Sequence, residues 1–198
     1  MVHTALESQA FPSDLPLKQW TVDEFHQMLA LGILSSDTPV ELINGQIIEM
    51  VPQEPPHAAT TDEGGDYLKA LFLGKAKVRA QLPITLYPDS EPEPDFAIVR
   101  IDANRYRDRH PGPEDIYLVM EVADSTLRRD RQYKAQMYAK AGIPEYWIIN
   151  LQQNQVIVYR HPQNSAYESA QVFDSSAKVS PEAFPDIEVD LGQLLILN

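Results

Sequence analysis

The sequence predicts an α/β (α+β) fold: a mixed central β-sheet flanked by α-helices. Three observations predict it. Short apolar runs of strand length recur along the chain, at Val40–Ile43, Asp95–Val99, Tyr117–Glu121, Tyr146–Ile149 and Val156–Tyr159. Only a few amphipathic segments of helical length stand among them. The stretch from Tyr117 to Asn150 reads strand, helix, strand, with Gly142 and Pro144 stopping the helix.

The elements follow in order. Residues 1–17 are polar, carry Pro12 and Pro16, and read as an N-terminal arm; residues 18–198 read as one domain. Thr21 and Glu24 have the spacing of a capping box, which predicts a helix over Val22–Ala30 burying Phe25, Met28 and Leu29. Asn44-Gly45 between two apolar runs, Val40–Ile43 and Gln46–Met50, is a strong hairpin signal. Pro52, Pro55 and Pro56 then predict a loop that delivers His57. A second helix is expected over Thr61–Leu73 with Tyr67, Leu68, Leu71 and Phe72 as its stripe, its first turns weakened by Gly64-Gly65.

Val78–Leu86 reads as a strand, at an edge or bulged because of Pro83. A proline-rich acidic turn, Asp89–Pro94, leads into a short strand that begins at Asp95. Residues 103–113 form a polar loop whose Arg105, Arg107 and Arg109 suit either a DNA backbone or a solvated surface. After the strand to Glu121, Asp124-Ser125-Thr126 reads as a helix cap. A hairpin arm at Val156–Tyr159, a strand near Gln171–Phe173, a segment Pro185-Asp186-Ile187 leading into Val189-Asp190-Leu191, and a closing run Leu194–Leu197 docked on the core complete the chain.

Composition narrows the function. Without cysteine there are neither disulfides nor thiolate metal sites. No secretory leader and no run of membrane-spanning length is readable, so the expected location is cytoplasmic. The net charge of −13 opposes nucleic acid, yet Arg100 to Lys140 holds nine Lys/Arg against seven Asp/Glu. That near-neutral region coincides with the strand–helix–strand stretch.

The chemistry-bearing residues are Asp95, Glu121 and Lys134. Both acids stand at strand boundaries, and an acid closing a buried strand is costly unless paired. Two converging carboxylates with backbone carbonyls suit magnesium or manganese. Helical spacing puts Asp130, Lys134 and Tyr138 on one face. A lysine beside such a metal suits phosphodiester hydrolysis. The plainer reading is a surface salt bridge, with Asp130–Lys134 an ordinary i,i+4 pair. His57 reads as surface or structural, or as a neighbour of the metal; Tyr138 reads as core or as a hydrogen-bond donor near the site.

Together, Pro94-Asp95, Glu121-Val122-Ala123-Asp124-Ser125-Thr126, Asp130, Lys134, Tyr138 and Gly142-Ile143-Pro144-Glu145-Tyr146-Trp147 resemble the Uma-two family. These are bacterial, commonly cyanobacterial, restriction endonuclease-like proteins of the PD-(D/E)xK superfamily. Glu41–Gly45 and Phe184–Leu191 resemble the family's opening and closing segments. The resemblance implies a restriction endonuclease-like core and a Mg2+- or Mn2+-dependent DNA endonuclease. It implies Asp95, Glu121 and the Val122 carbonyl as metal ligands, with Glu41 an additional acid. The superfamily lysine stands two residues after the second acid, where this chain has Ala123. Lys134 then supplies the ammonium from the helix, with Asp130, His57 and Tyr138 as accessory residues. The alternative is a degenerate nuclease fold that binds nucleic acid or protein. DNA is the expected partner, and cutting two strands suggests a homodimer.

Overall fold

The computed structural model describes residues 16–35 and 39–195. Most of the expected N-terminal arm, and residues 196–197 of the closing run, lie outside them. Leu194 and Leu195 are buried in the core.

The first helix, α1 (Val22–Ala30), starts at the Thr21–Glu24 capping box: the Glu24 N–H donates to Thr21 Oγ1 (3.2 Å) and the Thr21 N–H to Glu24 Oε2 (2.9 Å). The hairpin β1 (Val40–Ile43) and β2 (Gln46–Glu49) turns through Asn44 and Gly45, both at positive φ (46° and 74°). A side chain at Gly45 would also collide with Gln19, whose backbone Cα lies 3.2 Å from where a Cβ would stand.

Helix α2 spans Pro55–Leu71 and starts six residues before the expected Thr61. Proline is tolerated in a first helical turn because its missing N–H has no intrahelical partner there. Pro55 and Pro56 therefore open the helix, and His57 sits in its first turn instead of on a loop. Gly64 and Gly65 are buried against Phe96; a Cβ on Gly64 would stand 3.4 Å from that ring.

The main sheet contains β3 (Lys77–Ala80), β4 (Phe96–Val99), β5 (Ile116–Ala123), β6 (Glu145–Asn150), β7 (Gln155–Gln163) and β8 (Ala166–Asp174), side by side in that order. Only β5 and β6 are parallel. The strand expected over Val78–Leu86 is shorter, because Gln81 turns away at φ 50° and Pro83 follows. The β5–β6 crossover is α3 (Leu127–Arg129), a π-helical turn over Asp130–Lys134, and α4 (Ala135–Lys140). A small pair, β9 (Lys178–Val179) and β10 (Val189–Asp190), lies near the end. No described helix is long and apolar enough to cross a membrane.

Strand periodicity decides what the sheet presents to each side. In β5, Leu118, Met120 and Val122 face a core shared with Leu68 and Phe72 of α2 and with Val189, Leu191 and Leu194. Val119 and Ala123 face a second core with Met137 and Tyr138 of α4. Glu121 lies between those two in sequence and therefore on the α4 side.

Candidate active site

Seven acids are buried among the described residues: Glu41, Glu91, Asp95, Asp115, Glu121, Asp130 and Glu145. Three have partners of their own. Glu145 accepts from Arg160 Nε (2.8 Å), Trp147 Nε1 (2.8 Å) and the Glu182 N–H (2.8 Å). Asp115 accepts from both terminal nitrogens of Arg109 and from the Gly112 N–H. Glu91 pairs with His26 (2.7 Å) and Thr85 (2.6 Å). The other four, Glu41, Asp95, Glu121 and Asp130, line one cleft of about 400 Å³ together with one buried ammonium, that of Lys134, which pairs with Glu121 and Glu41.

Each side chain is positioned by a different element. Asp95 stands just before β4, and its Oδ2 accepts the Val122 N–H (2.8 Å). A strand residue projects its N–H and C=O to the same edge, so the Val122 carbonyl faces this cleft too. Gln81 Nε2 donates to Asp95 Oδ1 (3.3 Å). His57 Nε2 lies 3.3 Å from Asp95 Oδ2, which places the ring in the site and not on the surface. Burial pushes the His57 pKa down, but Asp95, Glu121 and the Val122 backbone push it up further, and the net shift is upward.

Lys134 and Tyr138 both donate to Glu121 Oε1, at 2.8 and 2.7 Å. Lys134 Nζ is also 3.7 Å from Glu41 Oε2. Glu41 reaches the site because Leu42 bridges to Glu91 (N–H to O, 3.3 and 2.7 Å), docking the hairpin on the loop before β4. The expected i,i+4 pair between Asp130 and Lys134 does not form. The π turn lies between them, and Asp130 instead accepts from Thr126 Oγ1 (2.6 Å), with Arg129 Nε at 3.9 Å. Thr126 accordingly makes no side-chain cap to the helix. Tyr146 and Trp147 are core, Tyr146 donating to the Asp130 carbonyl (3.3 Å).

The crowding of carboxylates sets the electrostatics. Burial, with Asp95, Asp130 and Glu41 nearby, pushes the Glu121 carboxyl up to about 8 despite the attraction of Lys134. Burial also raises the Asp130 carboxyl. For Lys134, burial favours the neutral amine, but Glu121, Glu41 and Asp130 outweigh it and hold the ammonium charged. Tyr138 is raised by burial and by Glu121, so its hydroxyl stays a donor.

Gln81, Glu93 and Arg129 also line this cleft, without a site signal of their own in the sequence. Glu93 belongs to the acidic turn, and burial beside Glu41 and Glu91 raises its pKa. The donors available to a metal are all oxygens. Among the described residues no group of three His, Cys, Asp or Glu side chains is arranged to hold one. Two carboxylates and a carbonyl, completed by water, are nevertheless a common protein share of a magnesium shell. The surplus of negative charge around Glu121 fits a hard cation.

A family model, Uma2, described as "Putative restriction endonuclease", matches residues 22–192. The chain belongs to the Uma2 family. Among solved structures, one described as a "putative nuclease belonging to DUF820", from Anabaena variabilis, superposes with a TM-score of 0.69. It shares 21% identity, over 89% of this chain and 97% of that one. At that identity the likeness carries the fold alone. No curated protein matches. For this Uma2 chain, the fold class read from sequence is the observed one: a mixed sheet with helices on its faces.

Proposed function

We propose that this Uma2 protein is a metal-dependent DNA endonuclease hydrolysing phosphodiester bonds, with residues 18–198 acting as one nuclease-like unit. The observation that carries the reading is the contact of Lys134 Nζ with Glu121 Oε1 at 2.8 Å, in the cleft that also holds Asp95 and Glu41. An ammonium on the crossover helix thus touches the second acid, which supports Lys134 as the replacement for the lysine missing at Ala123. Magnesium or manganese held by Asp95, Glu121 and the Val122 carbonyl would supply Lewis-acid polarisation of the scissile phosphate and a more acidic water.

The chain's own groups do the rest. The Val122 N–H and Gln81 fix the two oxygens of Asp95. Tyr138 fixes Oε1 of Glu121 and leaves the Lys134 ammonium to steady charge developing on a phosphate oxygen or to orient a water. Glu41 holds that ammonium from the other side. His57 turns its Nε2 to Asp95 Oδ2 and so helps to position that carboxylate.

One observation favours a second reading, a Uma2 fold that binds DNA without cutting it: Lys134 and Tyr138 already occupy Oε1 of Glu121. The test is incubation of pure protein with supercoiled, linear, single-stranded and branched DNA in Mg2+ or Mn2+. Cleavage by wild type and its loss in Asp95→Ala are expected. DNA binding with no cleavage of any substrate would establish the second reading instead.

A further inference from the structure

Among the described residues, eight of the sixteen Lys and Arg have a carboxylate within 4.0 Å: Lys18, Lys69, Arg109, Arg129, Lys134, Lys140, Arg160 and Lys178. The other eight are not scattered. Six of them, Lys75, Lys77, Arg79, Arg100, Arg105 and Arg107, lie on β3, just before it, or on the loop after β4. Unpaired cations on a chain of net charge −13 therefore gather at one edge of the sheet.

That edge carries a built pocket of about 400 Å³, walled by Lys77, Arg79, Ile101, Asp102, Arg105 and Tyr106. Arg79 is half-buried; its Nη2 donates to the Pro83 carbonyl (3.3 Å), and its buried Nε has no hydrogen-bond partner. The one acid, Asp102, is engaged by the Tyr106 N–H (2.9 Å). Arg105 and Tyr106 both have left-handed backbones, at φ 59° and 54°. Such a conformation is strained for a non-glycine residue and persists only when its surroundings hold it. Here the Tyr106 hydroxyl donates to the Arg100 carbonyl (2.9 Å), and the guanidinium groups of Arg79 and Arg109 both pack over its ring (5.6 and 5.4 Å). The loop is thus fixed with Arg105 at the pocket. β3 is also an edge strand of the main sheet, with one side turned away from β4.

The chain of β3 runs from this pocket toward the active cleft. Gln81, just past the end of β3, lines the cleft, and Arg79 and Lys77 precede it by two and four residues. At no more than about 3.3 Å per residue they lie within roughly 7 and 13 Å of it. Lys77 and Arg79 are therefore close enough to meet phosphates that neighbour one held in the cleft.

We propose that the outer edge of β3 and the loop after β4 form a docking surface for the phosphodiester backbone of DNA, with Arg79 at its floor and Lys77 and Arg105 at its rim. The inference rests on the nucleic-acid reading of the cleft. It is tested by the anisotropy of a short fluorescein-labelled duplex titrated with full-length protein in EDTA at several salt concentrations. The double variant Lys77→Gln/Arg105→Gln removes two exposed cations and should bind more weakly, with a slope of log K against log salt shallower by about 2. Lys18→Gln/Lys178→Gln makes the same charge change elsewhere and should keep the wild-type slope. Wild-type binding with an unchanged slope in the first variant overturns this inference and leaves the nuclease reading standing. A wild type that neither binds nor cuts DNA overturns both.

Discussion

The most decisive perturbation is Glu121→Gln, because two accounts of the buried Lys134–Glu121 contact predict opposite results. If the pair is an ion pair that holds the fold together, the variant is destabilised. The geometry points the other way. Burial and three neighbouring carboxylates push the Glu121 carboxyl up to about 8 from 4.5, a figure that already includes the attraction of Lys134. A raised acid is stabilising while it keeps its proton, below its unfolded value, and that contribution is lost as the pH rises through the folded one. The charged carboxylate therefore costs the fold on the order of 5 kcal/mol once fully ionised. Glutamine has the shape of the protonated acid, and its oxygen accepts from Lys134 Nζ and Tyr138 Oη as Glu121 Oε1 does. The variant should match wild type near pH 5 and become more stable than it by several kcal/mol above about pH 8. Urea unfolding in EDTA at the two pH values measures this, with DNA cleavage by the same preparation expected to vanish. A variant less stable than wild type at the higher pH would refute the reasoning and make the ionised pair a structural asset.

Three more outcomes are expected. Lys134→Met should slow single-turnover cleavage by about 100-fold or more; cutting at the wild-type rate removes Lys134 from the chemistry. Gly65→Ala should raise stability in thermal melts by about 0.5–1 kcal/mol, because the new Cβ meets Phe96 at 3.5 Å and Lys69 Nζ at 3.8 Å, ordinary contact distances. Asp115→Asn should lower stability at neutral pH. Arg109 foremost, then the Gly112 N–H, hold the Asp115 carboxyl below 3.8, a contribution present above that value and lost as the pH falls through the folded one. Acid titration followed by circular dichroism should therefore show the gap between variant and wild type closing below about pH 4.

Much of this fold is legible in the sequence because its signals are local. The Thr21–Glu24 cap, the Asn44-Gly45 turn and the apolar run ending at Glu121 each depend on neighbours in the chain. What depends on distant partners is not legible. Nothing near Pro55 says whether the prolines close a loop or open a helix; packing of Gly64 and Gly65 on Phe96 decides it. Gln81 reads as an ordinary strand residue, yet it leaves the sheet at a positive φ and turns its amide to Asp95. The placement of Glu41 depends on a bridge between Leu42 and Glu91, far apart in sequence.

The helix after Glu121 shows most clearly why spacing alone falls short. Regular α-helical spacing puts Asp130, Lys134 and Tyr138 in one row, and in such a row Asp130 is the nearest partner for the ammonium. A lysine neutralised by its own helix has little left to offer a distant carboxylate. The π turn over Asp130–Lys134 breaks the row. Asp130 is drawn to Thr126, one turn earlier, while Lys134 and Tyr138 both reach the same oxygen of Glu121. The turn therefore separates two roles that the sequence pattern merges: Asp130 ties the helix to its start, and Lys134 is left to the cleft. An acid kept near an ammonium but not bonded to it adds negative potential without occupying a donor. That potential helps hold Lys134 charged where burial alone would favour the free amine.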